Sequence, residues 1–189
     1  MSWRNDKTII KKGEIRMEVT IEMAASINGL IATKEGSEDF LSERNYQIML
    51  DFLKEYDCLV WGNKTFQNVI SWGEDYINDL KDITVIIFSK TQNSSNYKNV
   101  IYVNSLEEFK RVCKEKNLNK IFVSGGAHTN TLFLENNLAN RIIINYNPYL
   151  LTKGINLFEG KYLEKELQLE KVVKEEEGIV QIWYQVKEK

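Results

Sequence analysis

A glycine pair behind an apolar run is the stretch of this sequence best suited to hold an anion. The run 121–123 predicts a short buried strand, Ser124-Gly-Gly-Ala127 follows it, and the pattern turns helical from His128. A helix that starts directly after glycines presents free backbone N–H groups and the positive end of its dipole, and glycine lets a phosphate come close to the backbone. The alternative is a tight turn in which the glycines serve packing only.

Two further strand ends carry small or basic residues of the same kind. The predicted strand 57–61 ends in Gly62-Asn-Lys-Thr65, and the strand 83–88 ends in Ser89-Lys-Thr91. Because open α/β sheets bind ligands at the carboxyl ends of their strands, the three ends together predict one groove for an elongated anionic ligand. Lys64 and Lys90 would supply positive charge there, although each lysine taken singly is also compatible with a solvated surface position.

Two common nucleotide-binding motifs are absent from the sequence. There is no G-x-G-x-x-G pattern, which argues against a Rossmann dinucleotide site. Residues 62–65 resemble the tail of a P-loop, but the residue five positions before Gly62 is Asp57 and not glycine. The sequence therefore does not favour a nucleotide triphosphatase.

The composition is that of an ordinary globular protein of one domain. Of the 189 residues, 43% are hydrophobic and 28% charged, and the net charge of −2 gives no reason to expect nucleic acid or a membrane as a partner. No apolar run approaches the roughly 18 residues of a membrane span, and no signal peptide is visible. Cys58 and Cys113 stand in separate apolar runs, as expected for reduced core thiols of a cytoplasmic protein. With one histidine and no clustered cysteines, no metal site is expected.

The predicted elements alternate between strand and helix over most of the chain. Strands are predicted at 18–26, 30–32, 57–61, 83–88, 100–103, 121–123, 141–146, 167–175 and 179–186. Helices are predicted at 42–56, after 65, from 105 and from 128, and Ser105 with Glu108 predicts a capping box. This order predicts an α/β domain with a mostly parallel sheet, helices on both faces and an antiparallel C-terminal hairpin. Residues 1–16 are assigned to an N-terminal extension and 17–189 to the domain.

Five short motifs, in order along residues 17–186, resemble the dihydrofolate reductase superfamily. The resemblance is closest to the branch that contains the C-terminal reductase domain of the bacterial riboflavin-biosynthesis deaminase–reductase. The motifs are Ala25-Ser-Ile-Asn-Gly-Leu-Ile-Ala32, Glu38-Asp-Phe-Leu41, Gly62-Asn-Lys-Thr-Phe66, Val123-Ser-Gly-Gly-Ala127 and Pro148-Tyr-Leu-Leu-Thr-Lys-Gly-Ile-Asn-Leu-Phe158. The resemblance implies a three-layer dihydrofolate-reductase-like fold, a homodimer, and NADPH-dependent hydride transfer to a small heterocyclic or sugar-derived substrate.

The same resemblance implies a set of cofactor-binding residues. The backbones of Ala24 and Ile31 would place the nicotinamide. The residues implied at the phosphates and the adenosine are Gly62, Asn63, Lys64, Thr65, Ser89, Lys90, Gly125, Gly126, Ala127, His128 and Thr129. Ser89 and Lys90 would lie at the adenine ribose and its 2′-phosphate, and the Gly125–Gly126 peptide bond is implied to be cis.

On the substrate side, the resemblance points to one loop and one helix. Asp39 is the implied proton donor and substrate contact, with Glu38 as a second candidate, and the alternative for Asp39 is a solvated loop carboxylate. Phe40 is expected to form an apolar wall of the substrate pocket, unless it is an ordinary core aromatic. Tyr46 lies on the helix that carries the pterin-binding carboxylate in dihydrofolate reductase, so reduction of folate itself is not expected.

Departures from the motifs leave three functions open. Asn28, Asn63 and Ser124 replace the Asp, Arg and Glu of the riboflavin branch, and the acidic stretch Ser37-Glu-Asp39 would repel a phosphorylated sugar. The first function is an NADPH-dependent reductase acting on another small substrate. The second is the riboflavin-pathway 5-amino-6-(5-phosphoribosylamino)uracil reductase. The third is a nucleotide-binding protein without turnover.

Overall fold

The computed structural model describes residues 17–92, 94–160 and 162–187 of the chain. The extension predicted over 1–16 lies outside the described residues. Strands and helices alternate, as predicted. The elements are β1 (Glu18–Ser26), β2 (Leu30–Ala32), α1 (Glu43–Leu53), β3 (Cys58–Gly62), α2 (Asn63–Trp72), α3 (Glu74–Asn78), β4 (Thr84–Phe88), β5 (Val100–Val103), α4 (Leu106–Lys116), β6 (Lys120–Val123), α5 (Ala127–Glu135), β7 (Arg141–Asn147), β8 (Ile155–Asn156), β9 (Leu167–Lys174) and β10 (Val180–Val186).

Eight strands form one sheet in the order β5-β4-β3-β6-β1-β7-β10-β9. Neighbours from β5 to β7 run parallel, whereas β10 pairs antiparallel with both β7 and β9. The mostly parallel sheet with an antiparallel C-terminal hairpin is thereby confirmed. Because β4, β3 and β6 are parallel neighbours, their carboxyl ends lie along one edge of the sheet. The small sheet of β2 with β8 was not predicted.

Apolar clusters pack on both faces of the sheet, so the fold has three layers. On one face Phe109 of α4 and Phe133 of α5 meet with ring centroids 5.2 Å apart. On the other face Phe66 of α2 packs beside Trp61 of β3. Strands covered on both sides are apolar almost throughout, which explains the continuous apolar runs of β3 and β4.

β1 is buried on both faces, although its alternation predicted one apolar face. Val19 and Ile21 are inaccessible on one side, and Thr20 and Glu22 are inaccessible or nearly so on the other. A strand at the centre of a two-sided sheet has no solvent face, so its polar residues enter the interior. Glu22 is thus a buried carboxyl group next to the motif that begins at Ala25.

Three helices begin at the edge where β3, β4 and β6 end, and they begin differently. In α4 the Ser105 hydroxyl accepts from the Glu108 N–H at 3.2 Å, and the Glu108 carboxylate accepts from the Asn104 N–H at 2.9 Å. This capping box therefore reaches one residue further upstream than predicted. α2 and α5 follow Gly62 and Gly126 directly, with no side-chain cap and no acidic residue in the first turn. Their first N–H groups remain available to a ligand.

Candidate active site

A cavity of about 610 Å³ opens where the carboxyl ends of β3, β4 and β6 meet, and we call it cavity A. Its lining includes eleven of the residues implied to bind a cofactor: Ile31, Gly62, Asn63, Lys64, Thr65, Ser89, Lys90, Gly126, Ala127, His128 and Thr129. The predicted convergence of three strand ends on one groove is therefore present. The binding roles of these residues stay predictions.

The ends of β3 and β6 approach each other so closely that only glycine fits. The Gly62 N–H donates to the Gly125 carbonyl at 2.8 Å, and a Cβ on Gly62 would lie 2.7 Å from Thr129 Oγ1. A Cβ on Gly126 would lie 3.1 Å from Thr65 Oγ1. The Gly125–Gly126 peptide bond is cis, as the resemblance implied. Gly125 is not among the residues that line cavity A, and its carbonyl accepts the hydrogen bond from the Gly62 N–H.

The polar groups of cavity A suit a diphosphate. The uncapped first turns of α2 and α5 both border the cavity, and both carry the positive end of a helix dipole. Asn63 Oδ1 is buried and has no hydrogen-bond partner among the described residues. A buried acceptor of this kind needs a donor, and a ribose hydroxyl would supply one. The residues present therefore fit a dinucleotide.

The outer part of cavity A carries the charged side chains. Lys64 and Lys90 are exposed at its wall, and His128 Nδ1 lies 3.7 Å from Glu159 Oε1. The Ser89 hydroxyl accepts from the backbone N–H groups of the two residues after Lys90, at 3.3 and 2.9 Å. Ser89 therefore shapes the loop that carries Lys90 in addition to lining the cavity.

A second cavity of about 580 Å³, cavity B, lies between α1, α2, α3 and the face of the sheet. It shares Ile31, Glu38, Thr65 and Gly126 with cavity A, so the two spaces meet at a common junction. Its apolar and aromatic lining consists mainly of Met23, Tyr46, Met49, Trp61, Val69, Trp72 and Tyr76. Ala24 borders cavity B, whereas Ile31 borders both cavities, which places both residues beside the junction.

The residues implied on the substrate side fall in different places. Asp39 lines cavity B but is exposed. Tyr46 lines the same cavity, and its hydroxyl donates to the Asp79 carboxylate at 3.1 Å. Burial and this hydrogen bond raise the pKa of Tyr46 above its usual range.

Phe40 is not among the residues that line cavity A or cavity B, and its expected place in a substrate pocket wall stays a prediction. The backbone turns between Glu38 and Leu41, with the Leu41 N–H donating to the Glu38 carbonyl at 2.8 Å. The two ends of this turn border cavity B, whereas Phe40 at its corner packs edge-on against Tyr149, with ring centroids 6.1 Å apart. Leu41, at the end of the turn, contributes an apolar side chain to the lining of cavity B.

Two carboxyl groups with a raised pKa border cavity B, Glu22, which is buried, and Glu38, which is half-buried. Burial raises the pKa of Glu38, at the junction, to about 7. Burial also raises the pKa of Glu22 to about 8, although hydrogen bonds with Ser124 and Asn145 act in the opposite direction. Sequence reasoning missed Glu22. The available signal was an acidic residue within a strand of a two-sided sheet, three positions before Ala25.

Cavity B is acidic. Four carboxyl groups line it, those of Glu22, Glu38, Asp39 and Glu43, and no lysine or arginine is among its lining residues in the described chain. Ser124, which replaces the Glu of the riboflavin branch, contacts Glu22. A glutamate at 124 would bring a further carboxyl group to this wall.

Comparison with known proteins places the chain in a family. The family model described as the RibD C-terminal domain matches residues 17–181. The chain belongs to the RibD C-terminal domain family. Two Bacillus subtilis (strain 168) proteins described as uncharacterized are similar in sequence. YwjB is 26% identical over 80% of this chain and 88% of its own length, and YyaP is 28% identical over 88% and 93%.

Solved structures share the fold of this RibD C-terminal domain. A putative riboflavin biosynthesis protein from Shewanella sp. PV-4 superposes with a TM-score of 0.78 at 23% identity, covering 91% of this chain and all of that one. A pyrimidine reductase-like protein from Corynebacterium diphtheriae gives 0.73 at 16% identity, covering 93% and 94%. The Thermotoga maritima diaminohydroxyphosphoribosylaminopyrimidine deaminase/5-amino-6-(5-phosphoribosylamino)uracil reductase gives 0.69 at 14%, covering 91% and 57%. The dihydrofolate-reductase-like fold is thereby confirmed.

No helix in the described ranges combines the length and the apolar composition needed to cross a membrane.

Cys58 and Cys113 are both buried and unbonded to each other, as predicted for core thiols. The Cys113 thiol and burial raise the pKa of Cys58 far above its usual range.

Proposed function

We propose that this protein is an NADPH-dependent reductase that transfers a hydride to a small substrate held in cavity B. The observation that carries the proposal is the meeting of cavity A, which fits a dinucleotide, with cavity B at Ile31, Glu38, Thr65 and Gly126. Family membership supports it, because relatives that share this fold are named as reductases. Bound NADPH would supply a hydride at that junction.

Each wall of cavity A has a distinct task in this proposal. The first turns of α2 and α5 would hold the diphosphate with backbone N–H groups, together with Thr65 and Thr129. Asn63 Oδ1 would accept from a ribose hydroxyl. Lys64 and Lys90 would attract a 2′-phosphate. The backbones of Ala24 and Ile31 would orient the ring that faces cavity B, as the family resemblance implies.

The substrate must also receive a proton, and a side chain that lines cavity B would donate it. The family resemblance implies Asp39 as the proton donor, but the side chain of Asp39 is exposed and in contact with solvent. A buried carboxyl group with a raised pKa keeps its proton near neutral pH and releases it inside a site closed to water. Glu22 meets this condition, and the pKa of the half-buried Glu38 is raised as well. The geometry therefore favours a buried carboxyl group over Asp39.

Titration of the purified protein with NADPH and NADH, followed by nucleotide fluorescence, tests the cofactor. We expect saturable binding with preference for NADPH, and NADPH oxidation at 340 nm when a suitable substrate from a panel of pterins, aminouracils, flavins and quinones is added. Failure to bind either dinucleotide would refute the proposal. Binding without oxidation by any compound of the panel would favour a nucleotide-binding protein without turnover.

The riboflavin-pathway 5-amino-6-(5-phosphoribosylamino)uracil reductase is the second candidate. Family membership favours it, and the Thermotoga protein of the same fold carries that name. The acidic lining of cavity B weighs against it, because Asp39 and Glu43 would repel a phosphate and no lysine or arginine in the described lining would attract one. Complementation of a strain that lacks this reductase, with an intact deaminase, decides between the two. Growth without riboflavin would establish the second candidate.

We also propose that the protein works in the cytoplasm. Two buried thiols that remain unpaired, Cys58 and Cys113, are typical of a reducing compartment. Fractionation of the producing cells would test this, with recovery in the periplasmic or membrane fraction as the contrary result.

A further inference from the structure

The carboxyl group of Glu22 sits in the wall of cavity B with only 3% of the residue exposed. β1 carries it on the face that α1 covers, one residue before Met23 and two before Ala24. Its position on a central strand is rigid, because β1 pairs with β7 from Thr20 to Ser26 and with β6 on the other side from Glu18 to Ile21. Glu38, by contrast, lies on a loop.

A chain of side-chain donors orients Glu22. Trp183 Nε1 donates to Gln181 Oε1, and Gln181 Nε2 donates to Asn145 Oδ1 at 2.9 Å. Asn145 Nδ2 then donates to Glu22 Oε1. Since each amide oxygen in the chain is already an acceptor, each NH₂ group must point to the next residue. The chain crosses β10, β7 and β1 and ends on one oxygen of Glu22.

Glu22 and Ser124 both border the cavity, and the interaction with Ser124 favours the charged form of Glu22. No lysine or arginine of the described lining can neutralise the carboxylate. The ionisable groups that face the cavity are Glu38 and Asp39 from the loop, Glu43 and Tyr46 from α1, and Tyr76 from α3, all of them acidic. Neither ion pairing nor solvent therefore stabilises the charged form, and the group holds its proton in the resting protein.

We propose that Glu22 is the acid that protonates the substrate, and that cavity B accepts an unphosphorylated planar ring bearing a polarised C=N or C=O bond. The inference rests on the proposed reductase function and adds the acid and the substrate class to it. The aromatic and apolar wall formed by Trp61, Trp72, Tyr76 and Met49 suits a flat ring. Asp39 and Glu43, with no lysine or arginine in the described lining, would repel a phosphate ester from the same space.

The step balances with NADPH as the reductant. The carbon of the C=N or C=O bond gains a hydride, the π bond to nitrogen or oxygen breaks, and that heteroatom gains the proton of Glu22. The product is an amine or an alcohol, and the nicotinamide is oxidised by two electrons. Glu22 is left as a carboxylate beside Ser124 and Asn145, whose hydrogen bonds favour that form, and it recovers its proton from water once the product leaves.

Two pairs of probes test the substrate class: riboflavin against flavin mononucleotide, and pyridoxal against pyridoxal 5′-phosphate. Each is titrated into the protein saturated with NADP⁺, with quenching of tryptophan fluorescence as the readout. We expect the unphosphorylated member of each pair to bind at least 10-fold more tightly. Tighter binding of the phosphorylated members, equal binding within both pairs, or binding of none of the four would overturn the assignment of the substrate class.

Glu22→Gln tests the acid, with Asp51→Asn as the matched carboxyl-to-amide control on the exposed side of α1. NADPH affinity of E22Q should stay close to wild type and its Tm at neutral pH should be no lower than that of wild type, which separates this test from failure of the cofactor proposal. We expect the rate of NADPH oxidation with pyridoxal to fall by about 100-fold or more in E22Q, and to recover in part in Glu22→Asp. The wild-type rate should decline above pH 8, and E22Q should lose that decline. Equal rates and equal pH profiles in E22Q and D51N would overturn the role of Glu22.

Discussion

Glu22 should make the stability of the protein depend on pH. Its pKa is about 8 when folded, against an ordinary value of 4.5. Below pH 4.5 both states hold the proton, whereas between 4.5 and 8 only the folded state does, so the free energy of unfolding falls as the pH rises through this window. We expect the wild type to lose on the order of 4 kcal/mol relative to Glu22→Gln between pH 4 and 9. Urea unfolding of both proteins across this range measures it, and parallel curves would contradict it.

Gly62 is required by the close approach of β3 to the start of α5. A methyl group there would lie 2.7 Å from Thr129 Oγ1, while the next nearest atom is 3.8 Å away. Gly62→Ala should therefore lower the free energy of unfolding by about 1–3 kcal/mol. In a Thr129→Ala background the obstructing oxygen is gone, and the same substitution should cost less than about 1 kcal/mol.

The double-mutant cycle is completed by chemical unfolding of all four proteins. Equal costs of Gly62→Ala in both backgrounds would show that Thr129 is not the obstacle. Stability is the appropriate readout here, because both residues also border the proposed cofactor site.

At the scale of elements, the first turn of α2 and the loop after β4 bring Lys64 and Lys90 to one cavity. If the two lysines bind a 2′-phosphate, the double substitution Lys64→Gln with Lys90→Gln should weaken the binding of NADPH by about 10-fold or more. The affinity for NADH should change by less than about 2-fold, because NADH lacks that group. Fluorescence titrations of both dinucleotides measure this, and the preference should shrink as salt is raised.

The matched control for this pair is Lys81→Gln with Lys114→Gln, two exposed lysines outside both cavities. It should leave both affinities unchanged. An equal loss of NADPH and NADH affinity in the protein with Lys64→Gln and Lys90→Gln would refute recognition of the 2′-phosphate.

Element boundaries also show what local patterns can and cannot predict. Ser105 and Glu108 predicted the start of α4 correctly, because the hydrogen bonds of a helix cap form between residues only a few positions apart in the sequence. Asn28 was known only as a departure from the family motif. Its Nδ2 donates to the Leu151 carbonyl at 2.7 Å, an interaction that an aspartate cannot make and that joins segments 123 residues apart. Nothing near Asn28 in the sequence identifies this partner.

At the scale of the molecule, the sheet exposes apolar residues at one end. Lys171 covers the Trp183 ring on one face at 3.6 Å, and the strand pairing places Leu169 and Val172 on the opposite face. Both are more than half exposed, and Leu167 and Val180 on that face are also exposed. β9 is the last strand of the sheet. An apolar patch on a terminal strand is typical of a protein–protein contact.

We therefore propose that a second copy of the chain covers this face, in line with the homodimer that the family resemblance implies. Leu169→Glu with Val172→Glu should convert the dimer to a monomer in light scattering after size exclusion. Leu150→Glu, at an exposed apolar side chain elsewhere, should leave the dimer intact. A monomeric wild type, or a dimer that survives the double substitution, would contradict the proposal.

The sequence by itself determined the order of elements, the sheet class and the residues of cavity A. These depend on periodicity, caps and glycines, which act over short stretches, and parallel strands must end at the same edge. Cavity B was decided by the tertiary structure. Glu22 and Asn145 lie on the neighbouring strands β1 and β7, Ser124 follows β6, and the turn after Glu38 places Leu41 at cavity B and Phe40 against Tyr149. The protonation of a carboxyl group depends on how much water and which charges surround it, and only the packed chain defines those surroundings.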